Sequence, residues 1–330
     1  MPKSKNTYKY TGVHTQVNTK ANYKPAPSTV SHKVTRPKRN WALYDQQLKE
    51  RGQVLRFVRT FIRRNEWQVR TGKPGRPSYS REAITVCYML MNVLNLTTRG
   101  VEGYLSETFE LLGWESKLVP DATTLTKRAK DVLFTAPVCT QLSNTRLMDG
   151  TGFAFAMRGY YASKKYGEPL RRRKFATAVF STDALTGLVT AMEVTPDTGK
   201  GNGEISQVPT LLAQESSDVK VLLGDGAYDK LSVYTACEEK GIELIAPPRV
   251  DAKYGLHQNR DTRITQIKRL GKKEWKIRIG YHTRSLAEST NSAIKSSLGE
   301  KTRARSFTSA KAHITAKVLV YNLWRLAELG

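Results

Sequence analysis

Thr145-Arg-Leu-Met-Asp149-Gly-Thr-Gly152 is the stretch that decides the fold. An apolar run ends on a carboxylate, and the glycines after it leave room for a ligand or another backbone to approach. Downstream, Phe175 to Thr182 and Leu188 to Thr195 have strand composition. Asp183-Ala-Leu-Thr-Gly187 joins them as a hairpin turn with glycine where positive φ is needed. A helix near 204–214 (Ile205, Val208, Leu211, Leu212), a strand over Val219–Leu223, a helix near 229–240 and a short strand over Ile242–Ile245 follow. That order predicts a mixed α/β sheet rather than a doubly wound parallel one. Residues 247–280 are basic and polar and read as an insertion, in which only Trp275-Lys-Ile-Arg-Ile279 resembles a strand. A last helical region runs from about Arg284 and closes with Val318, Leu319, Tyr321, Leu323, Trp324 and Leu326.

Upstream the pattern is helical. Trp41, Tyr44 and Leu48, then Val54, Leu55, Val58, Phe61 and Ile62, have helical spacing, and Thr71-Gly-Lys-Pro-Gly-Arg-Pro77 reads as a loop. Ser80 is expected to cap a helix with Ala83, Cys87, Leu90, Met91 and Leu94 on one face. A second helix follows over roughly 101–112, and Asp121 caps a third that carries Lys127, Arg128 and Lys130. These helices suit either a helix-turn-helix-like DNA reader with those three cations as contacts, or an ordinary bundle with solvated bases. Residues 1–40 hold nine Lys/Arg and no Asp or Glu. They read as a flexible basic arm, ahead of a helical domain over 41–140 and a catalytic domain over 141–330.

The whole chain of 330 residues carries 54 Lys+Arg against 29 Asp+Glu, a formal charge of +25, and its 39% hydrophobic content is enough for a core. Such a charge calls for a polyanion, most commonly nucleic acid. No apolar run is long enough to span a bilayer, and no secretory signal is expected. Cys87, Cys139 and Cys237 are far apart and lack CxxC spacing, which fits a reducing cytoplasm.

In so basic a chain, carboxylates ending apolar strands need a reason. Asp149 is one, and Asp225, in Val221-Leu-Leu-Gly-Asp225-Gly-Ala-Tyr-Asp229, is another. Glu288 is the third candidate. On a helix, Tyr281, Arg284, Glu288 and Lys295 fall within an arc of about 60°, so one face offers an acid, two cations and a phenol. A surface i,i+4 ion pair between Arg284 and Glu288 would explain part of this equally well. Three acidic oxygen donors in a basic cleft can hold two Mg²⁺ ions, with Mn²⁺ as a substitute, for displacement at a phosphodiester. Arg284, Lys295 and the Tyr281 phenol would then grip DNA phosphates.

Tyr281, Arg284, Glu288 and Lys295 match the Y-(2)-R-(3)-E-(6)-K signature, and the chain resembles DDE transposases of the insertion-sequence IS4/IS5 kind. Asn40-Trp41, Gly75-Arg-Pro77, Tyr79-Ser80, Ala83-Ile84 and Lys127-Arg-Ala-Lys130 look like the N-terminal domain of the IS903-like subgroup. Asp149-Gly-Thr-Gly152, Asp225-Gly-Ala-Tyr-Asp229 and Ile245-Ala-Pro-Pro-Arg249 look like its catalytic domain. Family members more often show Asp-Ser-Thr-Gly at the first of these. The resemblance covers roughly residues 40–325. It implies an RNase H-like core in which Asp149, Asp225 and Glu288 bind the metals, and an enzyme that binds terminal inverted repeats, cuts the element ends and joins 3′-hydroxyls to target DNA. Double-stranded DNA is the implied partner, and joining two ends calls for a homodimer or larger assembly.

Asp229 is expected to cap the following helix rather than bind metal, and Asp183 to serve a hairpin turn. Gly199-Lys-Gly-Asn-Gly203 lacks the spacing of a phosphate loop, so ATP is not implied. His282 reads as solvated or phosphate-contacting, Trp324 as core, and Trp275 as either a base-stacking or a packing residue. A metal-dependent nuclease without strand transfer and a non-catalytic DNA-binding protein are the alternative functions.

Overall fold

The computed structural model describes residues 41–52, 66–69, 77–155, 174–196 and 201–329. The basic arm 1–40, the helix expected over Val54–Ile62, most of the Thr71–Pro77 loop and the start of Gly199–Gly203 lie outside the described residues. The chain divides into two units, 1–44 and 45–330. Of the first, only the opening residues of helix α1 (Trp41–Arg51) are described.

The larger unit is built on a five-stranded mixed sheet. Its strands are β3 (Thr145–Phe155), β4 (Lys174–Asp183), β5 (Val189–Pro196), β6 (Val221–Leu223) and β7 (Glu243–Ile245), in the order β5-β4-β3-β6-β7. β3, β4 and β5 form an antiparallel meander, and β6 and β7 run parallel to β3. This is the mixed α/β arrangement predicted. The Asp183–Gly187 hairpin is present, with Gly187 at φ +73°. A separate two-stranded ribbon pairs β1 (Gln68–Val69) with β2 (Ser78–Tyr79).

Strand alternation sends neighbouring side chains of β3 to opposite faces. Met148 packs with Val208, Leu211 and Leu212 of α5 (Val208–Gln214) and with Val233 and Cys237 of α6 (Leu231–Glu238). Leu147 instead joins Leu223, Ile245, Trp275, Tyr281 and Ala287 on the other face. Phe153, Phe155 and Phe180 extend that second face under Ile294 of α9 (Ser285–Leu298) and Ile314 and Val318 of α10 (Phe307–Leu329).

The insertion differs from its sequence reading. Trp275–Ile279 is no strand: α7 (Gln258–Leu270) and α8 (Lys272–Arg278) form a helical hairpin about Gly271, whose φ is +78°. The alternating apolar residues mislead because Trp275 and Ile279 are also four apart, and both pack in one cluster while Ile277 stays 52% exposed. Trp275 is fully buried and donates its indole N–H to Gln266 Oε1 at 3.2 Å, so it packs and does not stack on a base.

The N-terminal helices are α2 (Arg81–Val93), α3 (Thr98–Leu111) and α4 (Ala122–Lys127). Ser80 and Asp121 cap α2 and α4 as predicted, through Ala83 N–H at 3.1 Å and Thr124 N–H at 2.8 Å. Their core is shared: Leu298, Ala312, Ala316 and Val320 of the C-terminal helices sit in one cluster with Ile84, Leu90, Val101 and Phe109. Hydrophobic packing therefore crosses the boundary expected near residue 140. Partly buried Trp324 packs against this cluster. At six residues, α4 is shorter than the recognition helix of the sequence reading.

Candidate active site

The parallel register of β3 and β6 brings two of the predicted acids together. Leu147 stands opposite Leu223. Asp149 and Asp225 each lie two residues beyond this last pair, Asp149 within β3 and Asp225 just past the end of β6, which is why residues so distant in sequence come near one another. Asp225 leaves the end of β6 as the cap of a 3₁₀ turn, Gly226–Tyr228, with its Oδ1 accepting from Ala227 N–H at 2.7 Å.

Helix α9 closes over them. The Arg284 guanidinium donates to Glu288 Oε1 at 2.7 Å and to Asp149 Oδ1 at 3.3 Å, and Asn291 Nδ2 donates to Asp149 Oδ2 at 2.8 Å. The i,i+4 pair of the simpler reading is thus present, but its cation also bridges to β3. Glu288 is 61% exposed at its side chain, against 19% for Asp149. Burial pushes the Asp149 carboxyl above its ordinary range; Arg284 opposes that shift, and the charges of Glu288 and Asp225 add to it.

Tyr281 does not continue the face of α9. It belongs to a 3₁₀ turn, Tyr281–Arg284, is buried, and donates its hydroxyl proton to the Gly224 carbonyl at 2.9 Å. The outward, phosphate-gripping phenol is corrected to one that anchors the residue before Asp225. Burial pushes its ionisation up to about 12. Lys295 is half-buried, with its Nζ 5.4 Å from the centre of the Phe153 ring. It lines an open groove of about 530 Å³ with Thr151, Asn291, Ser292, Ser296 and Glu300. His282 is exposed.

The N-terminal cations divide. Lys127 and Lys130 are exposed, whereas Arg128 donates to Asp131 Oδ2 at 2.6 Å and to the Tyr79 carbonyl at 2.5 Å. Arg128 is therefore a tie between α4 and β2 rather than a free DNA contact. Asp229 is corrected as well. Lys230 holds the cap position of α6, and Asp229 takes a bidentate bond from Arg260 of α7 at 2.8 and 3.1 Å. Asp183 does more than turn the hairpin: fully buried, it accepts from Arg146 at 2.7 Å, and Arg146 also reaches Glu215 at 2.9 Å.

Two residues of the centre escape sequence reading. Asn291, which holds Asp149, sits one helical turn beyond Glu288, and that spacing is its only signal. Glu204 begins a 3₁₀ turn, Glu204–Gln207, ahead of α5 and lies against Gly150; burial raises its carboxyl, with Asp149 and Asp225 adding. Its signal is glycine at 150, where the resembling motifs more often carry serine.

These carboxylate oxygens suit a hard divalent cation such as Mg²⁺ or Mn²⁺. Among the described residues, no three His, Cys, Asp or Glu side chains yet stand close enough to enclose one. Arg284 instead links Asp149 to Glu288, so a metal set that includes Glu288 requires that exposed side chain to leave the guanidinium. Among the described residues, no helix is long and apolar enough to cross a membrane.

Comparison with known proteins accords with this arrangement. Two sequence profiles described as a transposase DDE domain match, one over residues 140–323 and the other over 49–158. An uncharacterised protein of Aquifex aeolicus strain VF5 is 26% identical, with 78% of this chain and 81% of that protein covered. A chain in the crystal structure of a pre-cleavage Mos1 transpososome aligns at 11% identity with a TM-score of 0.21, covering 78% of this chain and 81% of that one. A likeness that weak carries no argument.

Proposed function

We propose, from the premise that this chain belongs to the transposase DDE domain family, that it is the transposase of an insertion sequence, of the IS903-like kind. On this reading it binds the terminal inverted repeats, cuts the element ends and joins their 3′-hydroxyls to target DNA. Family membership implies DNA transposition and DNA as the partner; the steps are our own assignment. The observation that carries it is that Asp149 and Asp225 each follow by two residues the paired Leu147 and Leu223 of parallel β3 and β6, with Arg284 joining Asp149 to Glu288 at the start of α9.

DDE transposases generally use divalent metal ions, and Asp149, Asp225 and Glu288 are the residues assigned to hold them here. When bound, such ions activate the attacking oxygen and stabilise the leaving one. Water attacks the phosphodiester at the element end and the 3′-oxygen leaves; that 3′-hydroxyl then attacks a target phosphodiester, so one P–O bond forms as another breaks. Asn291 orients Asp149, and Tyr281 fixes the backbone ahead of Asp225. Arg284, whose partners are these carboxylates, turns to the scissile phosphate when Glu288 releases it, and Lys295 holds the backbone in the adjoining groove. Lys127 and Lys130, with the N-terminal helices, are assigned to end recognition, and two protomers to a pair of ends.

The test is a strand-transfer assay with a labelled duplex carrying the element's own terminal repeat, Mg²⁺ and a target plasmid. Joined product that disappears in Asp149→Asn is the expected result. Cleavage with no joined product would make the chain a nuclease, and end binding without cleavage a DNA-binding protein.

A further inference from the structure

We propose that Glu204 is a fourth carboxylate of this centre and takes part with Asp149 and Asp225 in holding a divalent cation. The inference rests on the metal-dependent reading above and extends it to a residue outside the signature.

Three observations converge. The first is packing. Val208, Leu211 and Leu212 fix the start of α5 against the sheet face that carries Met148, and this sets the preceding turn over β3 at Gly150. A Cβ built on Gly150 would fall inside the Glu204 carboxylate. The slot exists because residue 150 has no side chain, and Glu204 fills it from the Met148 face, one residue along β3 from Asp149, whose own side chain is held from the other face by Arg284 and Asn291.

The second is charge. Among the described residues no cation pairs with Glu204 or Asp225, whereas Arg284 serves Asp149 and Glu288. Glu204 is half-buried and feels both aspartates. Arg284 offsets Asp149 but makes no ion pair with Glu204, and a half-buried carboxylate beside like charges is unfavourable unless a positive ion offsets it. Oxygen-only donors select a hard divalent ion.

The third is the phenol of Tyr228. It is fully buried, and its hydroxyl has no hydrogen-bond partner. It feels the charges of Glu204, Asp149 and Asp225, in that order. Buried hydroxyls are rarely left unpaired. A metal-bound water among the three acids would supply the missing partner.

The experiment is Mn²⁺ binding to the full-length protein, followed by water-proton relaxation, with thermal midpoints measured without metal. Wild type is expected to bind saturably and Asp149→Asn to lose affinity. Glu204→Gln should weaken binding by about tenfold or more, with a metal-free midpoint equal to or above wild type because one crowded charge has gone. Gly150→Ala should weaken binding similarly, by expelling the carboxylate, and add nothing in the Glu204→Gln background. Wild-type affinity in Glu204→Gln, with Asp149→Asn impaired, overturns the role of Glu204 and leaves the centre standing. A lowered metal-free midpoint in Glu204→Gln makes it a structural residue and overturns it too. No saturable binding by wild type overturns the metal centre itself.

Discussion

Asp229→Asn separates two readings of one residue. As a helix cap, Asp229 would be replaced by Asn at a cost of a few tenths of a kcal/mol, since the two cap about equally well. As the partner of Arg260, it anchors the insertion to the segment that carries Asp225, and both side chains are almost wholly buried, 3% and 9% exposed. Solvent screening is then small, and removing one charge strands the other away from water. Breaking such a pair costs about 3–5 kcal/mol. Arg260 keeps a bond to the Lys253 carbonyl at 2.8 Å, and Tyr234 remains 3.3 Å from residue 229, which places the expected loss near the lower end, about 3 kcal/mol. Urea unfolding of the full chain measures it. Arg260→Met added to Asp229→Asn should recover part of the loss, because the stranded guanidinium is gone. A loss under about 1 kcal/mol for Asp229→Asn, or strict additivity of the two substitutions, would refute the latch.

Three further outcomes follow from the same reasoning. Tyr281→Phe removes a buried donor from the Gly224 carbonyl, so stability should fall by about 1–3 kcal/mol and Mg²⁺-dependent cleavage should drop, while DNA affinity holds; a fall in affinity alone, by filter binding, would return the phenol to the phosphate. Burial, with Lys317 and Arg303 nearby, lowers the His313 pKa from 6.5 to about 4. The unfolded chain therefore binds the proton first as pH falls, and stability present above pH 6.5 should be lost progressively toward pH 4, by up to about 3 kcal/mol. His313→Phe should flatten that limb of a urea-denaturation pH series, and an unchanged limb would clear His313. Arg128→Ala should cost about 1–3 kcal/mol through its ties to Asp131 and Tyr79, whereas Lys127→Ala and Lys130→Ala stay within about 0.5 kcal/mol. Each lysine that meets a phosphate should reduce the salt dependence of end binding by about 0.9 in log–log slope; an Arg128→Ala as harmless to stability as the lysine variants would remove the tie.

The sheet was legible because its signals are local. Leu147 and Met148 must face opposite ways and Gly187 must take positive φ, whereas the apolar run before Asp149 does not mark a strand end, since β3 continues through Asp149 to Phe155 and only β6 stops short of its acid. Where a local pattern has two periods, it decides nothing. Trp275 and Ile279 satisfy strand alternation and an i,i+4 helical pair equally, and burial of Trp275 against Leu147 and Leu223 selects the helix. A helical wheel drawn through Tyr281 fails for a related reason. Tyr281 lies outside α9, in the 3₁₀ turn before it, where its phenol is buried and bonds the Gly224 carbonyl instead of extending the face of Glu288.

Partnerships across the fold are a different matter, since no window of sequence contains both members. Arg260 could have met any of the acids, and only the packing of α7 beside the β6 loop gives it Asp229. Gly150 is the instructive case. In sequence it is only the neighbour of Asp149, and its departure from the more frequent serine weakens the motif slightly. In the fold it is the absence of a side chain at the point on β3 where the turn before α5 arrives, and that absence lets the Glu204 carboxylate lie against the strand beside the residue that follows Asp149. A substitution that weakens the match to a family can thus be what the rest of the site is built around. Serine at 150 and the present placement of the Glu204 carboxylate then exclude one another, because the serine Cβ takes the same space and would turn the carboxylate aside. A Gly150→Ser variant should tolerate Glu204→Ala better than wild type does. Equal sensitivity of the two backgrounds in Mn²⁺ affinity would show that the close approach has no bearing on the metal.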